Sequence, residues 1–175
     1  MTRSPTDWAQ RLAVITDIGQ TVNASLDLDV TLNLIMASLK SLIDYTAAEI
    51  SLWHETKEAM VVCAQAGDPR YTRQAKGMYQ LDEGYAGWIA RHRKPLLIED
   101  TLERKDIQPR VIDAQKPIRS FLGVPLEAGD IRFGTIEVVS DRPRVFNQGD
   151  QELLQIIGQY AVTAIKNAQL LTAER

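Results

Sequence analysis

The stretch from Ile118 to Ser140 constrains the fold most, because it has the pattern of two β-strands joined by a tight turn. The predicted strands cover residues 118–126 and 133–140. Between them, Gly129 tolerates a positive φ angle and Asp130 can bond its own backbone, which favours a hairpin. Apolar and polar residues alternate along both strands. One face is nearly all apolar, and we expect it to pack against another layer; it contains Ser120, Leu122, Val124, Leu126, Ile136 and Val138.

The opposite face of this hairpin is mixed in polarity; it contains Arg119, Phe121, Gly123, Thr135, Glu137 and Val139. A mixed face of this kind can form one wall of a half-polar cavity. The alternative is a solvent-exposed face that carries a few apolar residues. Within this set, the planar guanidinium of Arg119 suits a ligand carboxylate or phosphate. The alternative for Arg119 is an ion pair with Glu137 across the hairpin.

Two helices are predicted before the first strand. Thr6 or Asp7 can cap a helix that ends near residue 24, and Asp27 or Asp29 can cap a second helix over residues 30–43. The first helix carries an apolar seam that favours contact with another helix, although a single amphipathic helix lying on its own sheet has the same pattern. The seam contains Trp8, Leu12, Ile15, Gly19, Val22 and Leu26.

A last helix is predicted from Asn147 or Asp150 onward. It carries two stripes, which suggests two packing partners. The stripe of smaller residues suits close approach to the sheet, and it contains Leu154, Gly158, Ala161, Ile165 and Ala168. The stripe of larger residues can meet another helix, and it contains Asp150, Leu153, Ile157, Tyr160, Ala164, Asn167 and Leu171.

The middle of the chain has the pattern of a second hairpin and two short strands. The hairpin covers residues 47–54 and 60–65, with Glu49, Ser51 and Trp53 on the opposite face from Ile50 and Leu52. The short strands are predicted at 79–81 and 96–98. A helix begins at Gly84, with Asp82 as a possible cap, and residues 100–116 form a long charged segment that suits a lid or binding loop.

Composition argues against several classes of protein. The chain has 175 residues and a net charge of −3, with one short basic run at residues 91–94, so we do not expect a nucleic-acid-binding surface. No window approaches 18 consecutive apolar residues, which argues against a membrane span. The first residues lack a signal-peptide pattern, so we expect a cytoplasmic protein.

The residues that usually carry catalysis are few. His54 and His92 lie outside any recognised catalytic motif, and we expect both at the surface. The single cysteine, Cys63, lies among apolar residues of a predicted strand, where we expect a buried small hydrophobe. His54, Cys63 and the carboxylates match no named metal site. We therefore predict no metal, no cofactor and no enzymatic activity.

The predicted elements also carry residues in an order that resembles the GAF domain family. These are Gly84-Tyr85-Ala86-Gly87-Trp88-Ile89-Ala90, Lys94-Pro95, Asp100, the segment 118–126, the segment 133–138, Phe146, Asp150, Leu153-Leu154 and the segment 164–168. The resemblance implies an α+β, PAS-related fold with a central antiparallel sheet of five to six strands. It places the N- and C-terminal helices on one face, and a ligand pocket with short helices and loops on the other.

The resemblance also implies a single GAF domain over residues 1–175. Residues 1–26 would form a dimerisation or signalling helix, residues 27–146 the sheet and pocket, and residues 147–175 the C-terminal helix. Such modules are sensory or regulatory. They form homodimers through their terminal helices and pass a signal to an output domain, such as a histidine kinase of a two-component system.

We expect an unidentified small molecule to contact Trp53, Tyr79, Trp88, Arg119, Phe121, Thr135 and Glu137. The alternative is a degenerate GAF module that only dimerises and whose pocket is filled by side chains. Cyclic-nucleotide-binding members have an Asn-Lys, Phe, Asp-Glu pattern, of which this chain retains only Phe146 and Asp150. Members that reduce free methionine sulfoxide use several cysteines, so the resemblance implies a non-catalytic module here.

Overall fold

The structure, a computed structural model, describes residues 5–25, 27–72, 77–81, 83–108 and 117–173. Four helices are present in this part of the chain, namely α1 (Pro5–Ala24), α2 (Leu28–Leu39), α3 (Gly84–His92) and α4 (Gln148–Ala173). The strands are β1 (Ala47–His54), β2 (Ala59–Gly67), β3 (Met78–Tyr79), β4 (Leu96–Ile98), β5 (Ser120–Ala128) and β6 (Ile131–Ser140).

The strands form one six-stranded sheet in the order β3-β2-β1-β6-β5-β4. Every neighbouring pair is antiparallel, which confirms the predicted α+β class and the central antiparallel sheet. The two predicted hairpins, β1–β2 and β5–β6, meet along β1 and β6. Their contact places Glu49 opposite Glu137 and Ser51 opposite Thr135. This non-local pairing brings polar residues from distant parts of the sequence together.

One face of the sheet packs against α1, α2 and α4. The face predicted to be apolar lies here, and the core contains Leu122, Val124, Leu126, Ile136 and Val138 together with Ile50 from β1. Gly158 allows α4 to approach the sheet, since a Cβ atom at this position would lie 3.1 Å from Leu126 Cδ2. The predicted stripe of small residues therefore meets the sheet.

The larger stripe of α4 packs against other helices of the same chain. Leu153 and Ile157 are buried, and the ring of Tyr160 lies against Gly19 of α1. The predicted seam of α1 is buried near one end of the helix and exposed near the other. Val22 is fully buried, whereas Trp8 and Leu12 are 63% and 53% exposed. The seam residue Leu26 lies outside the described residues.

The ends of several elements differ from the predicted positions. Helix α2 begins and ends earlier, and Asp27 is its N-cap, with a side chain that accepts the N–H of Val30 at 3.0 Å. Strand β2 is longer at both ends, while β1 and β4 match the predicted ranges. Glu83 is the N-cap of α3, and the predicted cap Asp82 lies outside the described residues.

The start of α4 is fixed by two reciprocal hydrogen bonds. Asn147 N–H donates to Asp150 Oδ2, and Asp150 N–H donates to Asn147 Oδ1, both at 3.1 Å. These bonds satisfy two of the amides that a helix N-terminus leaves without intrahelical partners. None of the helices in the described ranges has the length and hydropathy that crossing a membrane requires.

Candidate functional site

Helix α3 covers the second face of the sheet. Its Tyr85 ring lies 4.6 Å from the ring of Phe121, and Ile89 lies over Gly123 of β5. The other side of the helix presents Ala86 and Ala90, which pack with residues of β2. In the sheet, β6 and β1 lie between β5 and β2. Because α3 contacts β5 on one side and β2 on the other, it lies over the two central strands β6 and β1.

The residues of β1 and β6 on this face are polar and buried. Glu49 and Glu137 are 6% and 5% exposed, and Ser51 and Thr135 are fully buried. We call these four residues the polar strip. The hydroxyl of Thr135 donates to Glu137 Oε1 at 3.0 Å. The predicted mixed face is therefore buried, and the alternative of a solvent-exposed face is wrong for these residues.

Three hydroxyl groups near α3 are buried and have no hydrogen-bond partner among the described residues; they belong to Ser51, Tyr71 and Tyr85. A buried polar group without a partner costs free energy, so such groups usually have a bonding partner in the functional state. Burial raises the pKa of Tyr85 to about 12, so its hydroxyl keeps its proton and can donate a hydrogen bond. Tyr71 and Tyr85 both pack in the apolar cluster around Phe121.

Arg119 binds Asp100 at the edge of this face. Its Nη2 atom donates to both carboxylate oxygens of Asp100, at 3.0 and 3.2 Å. The alternative ion pair with Glu137 is wrong, because Glu137 lies opposite Gly123, four residues further along the strand and about 14 Å away. The pKa of Asp100 lies below its ordinary value of 3.8, because the N–H of Leu102 and then the Arg119 guanidinium stabilise the carboxylate.

Three of the aromatic residues that were predicted to contact a ligand lie at different places in the structure. Trp88 is half-buried on α3, and its ring stacks on His92 with centroids 4.3 Å apart. Trp53 lies under the guanidinium of Arg132, whose Cζ is 5.1 Å from the ring centroid. The backbone of Tyr79 pairs with Met60, and its side chain lies outside the described residues.

Trp53 also lines a pocket of about 400 Å³ together with Glu55, Glu58, Gln80 and Leu81. This lining shares no residue with the polar strip. Of the predicted ligand residues, Thr135 and Glu137 belong to the polar strip, and Phe121 packs next to it on the same face of the sheet. Trp53 and Arg119 lie at the edges of that face.

The predicted lid segment is described only up to residue 108. Asp100 fixes its first turn by accepting the N–H of Leu102 at 3.0 Å, and Thr101 donates its hydroxyl to the Ile118 carbonyl at 2.8 Å. Further along, Ile107 packs in the cluster with Phe121 and Tyr85. Residues 109–116 lie outside the described residues.

Cys63 lies on β2, on the side that faces the terminal helices. Its thiol is partly buried and donates to the Ile50 carbonyl at 3.3 Å. Burial raises the pKa of the thiol to about 12, so the neutral form predominates at physiological pH. Within the described ranges, no group of three or more His, Cys, Asp or Glu side chains is placed to hold a metal ion.

Sequence reasoning missed four of the residues that stand out here, namely Glu49, Ser51, Tyr71 and Tyr85. The alternation along residues 47–54 already placed Glu49 and Ser51 on the face opposite Ile50. That pattern was a usable signal, but it became informative only once β1 was known to pair with β6. Tyr71 is the last residue of a short turn that begins at Pro69, and no sequence pattern indicated its position.

A family model for the GAF domain matches residues 25–166. The chain belongs to the GAF domain family. Solved structures with the same fold include the GAF domain of an Acinetobacter phosphoenolpyruvate-protein phosphotransferase, at 20% identity and a TM-score of 0.79. That match covers 93% of this chain and 96% of the other.

Two further structures show the range of proteins that share this GAF fold. One is a methyl-accepting chemotaxis protein, at 19% identity and a TM-score of 0.74, which covers 89% of this chain and 99% of the other. The second is free methionine-R-sulfoxide reductase from Neisseria meningitidis in complex with its substrate, at 18% identity and a TM-score of 0.79, with coverages of 98% and 96%.

The reductase corrects one expectation from the sequence. We predicted no enzymatic activity, partly because the family resemblance implied a non-catalytic module. That prediction is wrong, because solved structures with this fold include free methionine-R-sulfoxide reductases from two organisms, at 15–18% identity. Membership of the GAF family by itself does not separate ligand-binding domains from enzymes.

Proposed function

We propose that this GAF domain is a regulatory module that binds a small molecule at the polar strip, beneath α3. The observation that carries the proposal is the burial of two carboxyl groups and two hydroxyl groups on adjacent central strands, Glu49 and Ser51 on β1 and Thr135 and Glu137 on β6. A purely structural sheet face would be expected to carry apolar residues at such positions. Polar groups that converge under a covering helix are typical of ligand sites.

The hydroxyl of Ser51, which has no hydrogen-bond partner in the described part of the chain, supports this proposal. Its oxygen is fully buried, and leaving such a group without a bond costs about 1–3 kcal/mol. A ligand that bonds to Ser51 would recover part of this cost. The residues predicted from the sequence, Phe121, Arg119 and Trp88 among them, would surround the ligand or its entrance.

The packing of the sheet suggests how binding would be relayed. Helix α4 packs directly on β5 and β6 through Gly158, and β6 carries Thr135 and Glu137 on its other face. A ligand that shifts β6 would therefore change the surface on which α4 rests. We propose that α1 and α4 pass this change to an output domain of a cytoplasmic signalling protein, of which a histidine kinase is one candidate.

We further propose that the domain forms a homodimer through its terminal helices. Trp8, Leu12 and Leu170 are each more than half exposed, and all three lie on α1 or α4. Trp8 and Leu12 lie one turn apart on α1, and neighbouring exposed apolar side chains of this kind are typical of a protein–protein interface. The names of the similar structures, a chemotaxis protein and a phosphotransferase, fit a regulatory role of this kind.

Thermal unfolding in the presence of a metabolite library tests the proposed function. A ligand at about a hundred times its Kd stabilises a protein of this size by about 2.7 kcal/mol, which raises Tm by roughly 5–10 °C. Thr135→Val should abolish that rise, because it removes the hydroxyl that positions Glu137 without changing the side-chain shape. The matched control is Thr163→Val on the exposed side of α4, where the hydroxyl donates to the Gln159 carbonyl.

Each variant is compared with its own unliganded Tm, so a general loss of stability does not count as loss of binding. A ligand whose stabilisation survives Thr135→Val unchanged would contradict the proposed site. If no library member stabilises the native protein, the alternative of a module that only dimerises would replace the sensor proposal.

A further inference from the structure

The turn that follows β4 is fastened to the segment that leads from β6 into α4. We call residues 99–104 the β4 turn and residues 141–147 the β6–α4 connection. The backbone N–H of Arg144 donates to the Glu99 carbonyl at 2.6 Å, and the Arg144 guanidinium forms an ion pair with Glu103. Arg144 therefore binds the β4 turn through both its backbone and its side chain.

The β4 turn is linked in turn to the face of the sheet that α3 covers. Asp100 binds Arg119, which directly precedes β5, and Asp100 Oδ2 also lies 3.9 Å from Arg144 Nη1. Shortly after the turn, Ile107 belongs to the same buried apolar cluster as Tyr85 of α3. A displacement of α3 would therefore reach the β4 turn through this packing.

The β6–α4 connection is short and is fixed at its far end. Phe146 is buried in the core with residues of the terminal helices, and Asn147 is joined to Asp150 by the two hydrogen bonds that start α4. Two residues separate Arg144 from Asn147, and an extended chain spans at most about 3.6 Å per residue. A movement of Arg144 therefore reaches the first turn of α4 with little slack.

The backbone of Arg144 is held in a conformation that residues with a Cβ atom seldom adopt. Its φ angle is +55°, in the left-handed region, which is unfavourable for an L-residue. The hydrogen bond to Glu99 and the ion pair with Glu103 offset this strain. Both side chains of the pair are more than half exposed, at 56% and 64%, so water competes for the pair. The contact can therefore open, and the backbone can then relax.

We propose that Arg144 couples the β4 turn to the start of α4, so that a change on the face beneath α3 is passed to the C-terminal helix. The signalling role of this coupling rests on the proposed function. The route differs from the one through β6, because it acts at the N-terminal end of α4 and not at the surface on which α4 rests. Coupling of this kind is reciprocal, so a change in either segment alters the other.

Amide hydrogen exchange of the ¹⁵N-labelled domain, followed by NMR, measures the coupling. Glu103→Gln removes the charge that binds Arg144. We expect this variant to raise the exchange rates of the Asn147 and Asp150 amides at least roughly threefold. Those two amides donate to each other's side chains. Glu103 itself contacts Arg144 and the Asp100 carbonyl, so the effect would have to travel along the β6–α4 connection.

The reverse measurement starts from the other segment. Asn147→Ala removes the side chain that accepts the Asp150 amide, and we expect it to raise the exchange rate of the Glu103 amide, again at least roughly threefold. In the native domain that amide donates to the Asp100 carbonyl at 3.1 Å. The amide of Val62 on β2 is the reference for global stability. Equal changes at Val62 would show a general loss of stability and would overturn the inference.

Arg144→Gln shows whether Arg144 carries these effects. In this background, Glu103→Gln should no longer change the exchange of the Asn147 amide, because its ion-pair partner is absent. The matched control is Arg142→Gln in the same connection, where the guanidinium pairs with Asp44. The inference would be overturned if the effect of Glu103→Gln were absent from the native background, persisted with Arg144→Gln, or disappeared with Arg142→Gln.

The same measurements separate the coupling from the proposed function, since they need no ligand. If the exchange effects are absent while a library compound binds and Thr135→Val abolishes its binding, the coupling is overturned and the ligand-binding proposal stands. If no library compound binds while the exchange effects appear, the ligand-binding proposal is overturned and the coupling through Arg144 is supported.

Discussion

Gly123 shows how one small residue allows α3 to cover the sheet. A Cβ atom at this position would lie 2.5 Å from Ile89 Cδ1 and 2.9 Å from Phe121 Cζ. Neither distance is sterically possible without movement, so the close contact of helix and strand depends on glycine here. The adjacent residue across the sheet is Glu137, which means that the position of α3 over the polar strip depends on the same contact.

We predict that Gly123→Ala lowers the free energy of unfolding by about 1–3 kcal/mol through overpacking. Ile89→Val removes the methyl group that clashes, so the double variant should lose less stability than the sum of the two single variants. Urea unfolding of the four proteins measures this coupling. Additive losses would show that Ile89 does not make the contact described here.

The carboxylate of Asp100 stabilises the edge of the same face through its ion pair with Arg119. Its lowered pKa means that the carboxylate contributes stability at pH values above its ordinary pKa of 3.8, and that this contribution is lost as the pH falls through the lowered value in the folded protein. We predict that Asp100→Asn is less stable than the native protein at about pH 6, and that the difference shrinks below about pH 4.

Chemical denaturation at several pH values between about pH 6 and pH 2.5 measures this difference. The control is Asp17→Asn, an exposed aspartate on α1. The role assigned to the Arg119 and Leu102 contacts would be contradicted if the free energies of unfolding of the native protein and Asp100→Asn differed by the same amount across the whole pH range.

The terminal helices are the elements through which we propose that this domain contacts other chains. Their buried residues, such as Val22 and Leu154, pack within the domain, whereas Trp8 and Leu12 of α1 and Leu170 of α4 remain exposed. The stripe on α4 that the sequence suggested for another helix is mostly occupied by α1 and α2 of the same chain. The surface left for a second copy is therefore narrower than the two sequence stripes imply.

We predict that the native domain is a dimer. The double variant Trp8→Glu, Leu12→Glu should raise the dimer dissociation constant at least roughly a hundredfold, because it places two negative charges of each protomer at the interface. Sedimentation equilibrium measures the change. Ile131→Glu, at the distant β5–β6 turn and 59% exposed, is the control and should remain dimeric. A monomeric native domain, or a double variant that still dimerises, would contradict the proposed interface.

Local patterns in the sequence predicted most of these elements, because strand alternation and helix caps depend on neighbouring residues. The range of β1 and the capping by Asp27 are examples. The ion pair of Arg119 with Glu137 that the sequence suggested is wrong. Arg119 binds Asp100 instead, which lies in a different segment, and no local pattern indicates that contact. The polar strip could be predicted only with knowledge of the pairing of β1 with β6. That pairing joins residues more than eighty positions apart along the chain.

At the scale of the whole molecule, the two faces of the sheet differ in what covers them. Within the described residues, α1, α2 and α4 bury one face with apolar side chains, and the short helix α3 covers the other above buried carboxyl and hydroxyl groups. The central strand β6 belongs to both faces, since Ile136 packs under α4 while Glu137 lies in the polar strip. A ligand beneath α3 would thus act one residue away from the surface that supports the C-terminal helix.

A crystal structure of the domain grown with the compound that stabilises it most tests this account directly. We predict that the compound lies between α3 and strands β1 and β6, with a polar atom within hydrogen-bond distance of Glu137 or Ser51. The account would be contradicted by a compound bound elsewhere, for example in the pocket beside Trp53, with the polar strip unchanged.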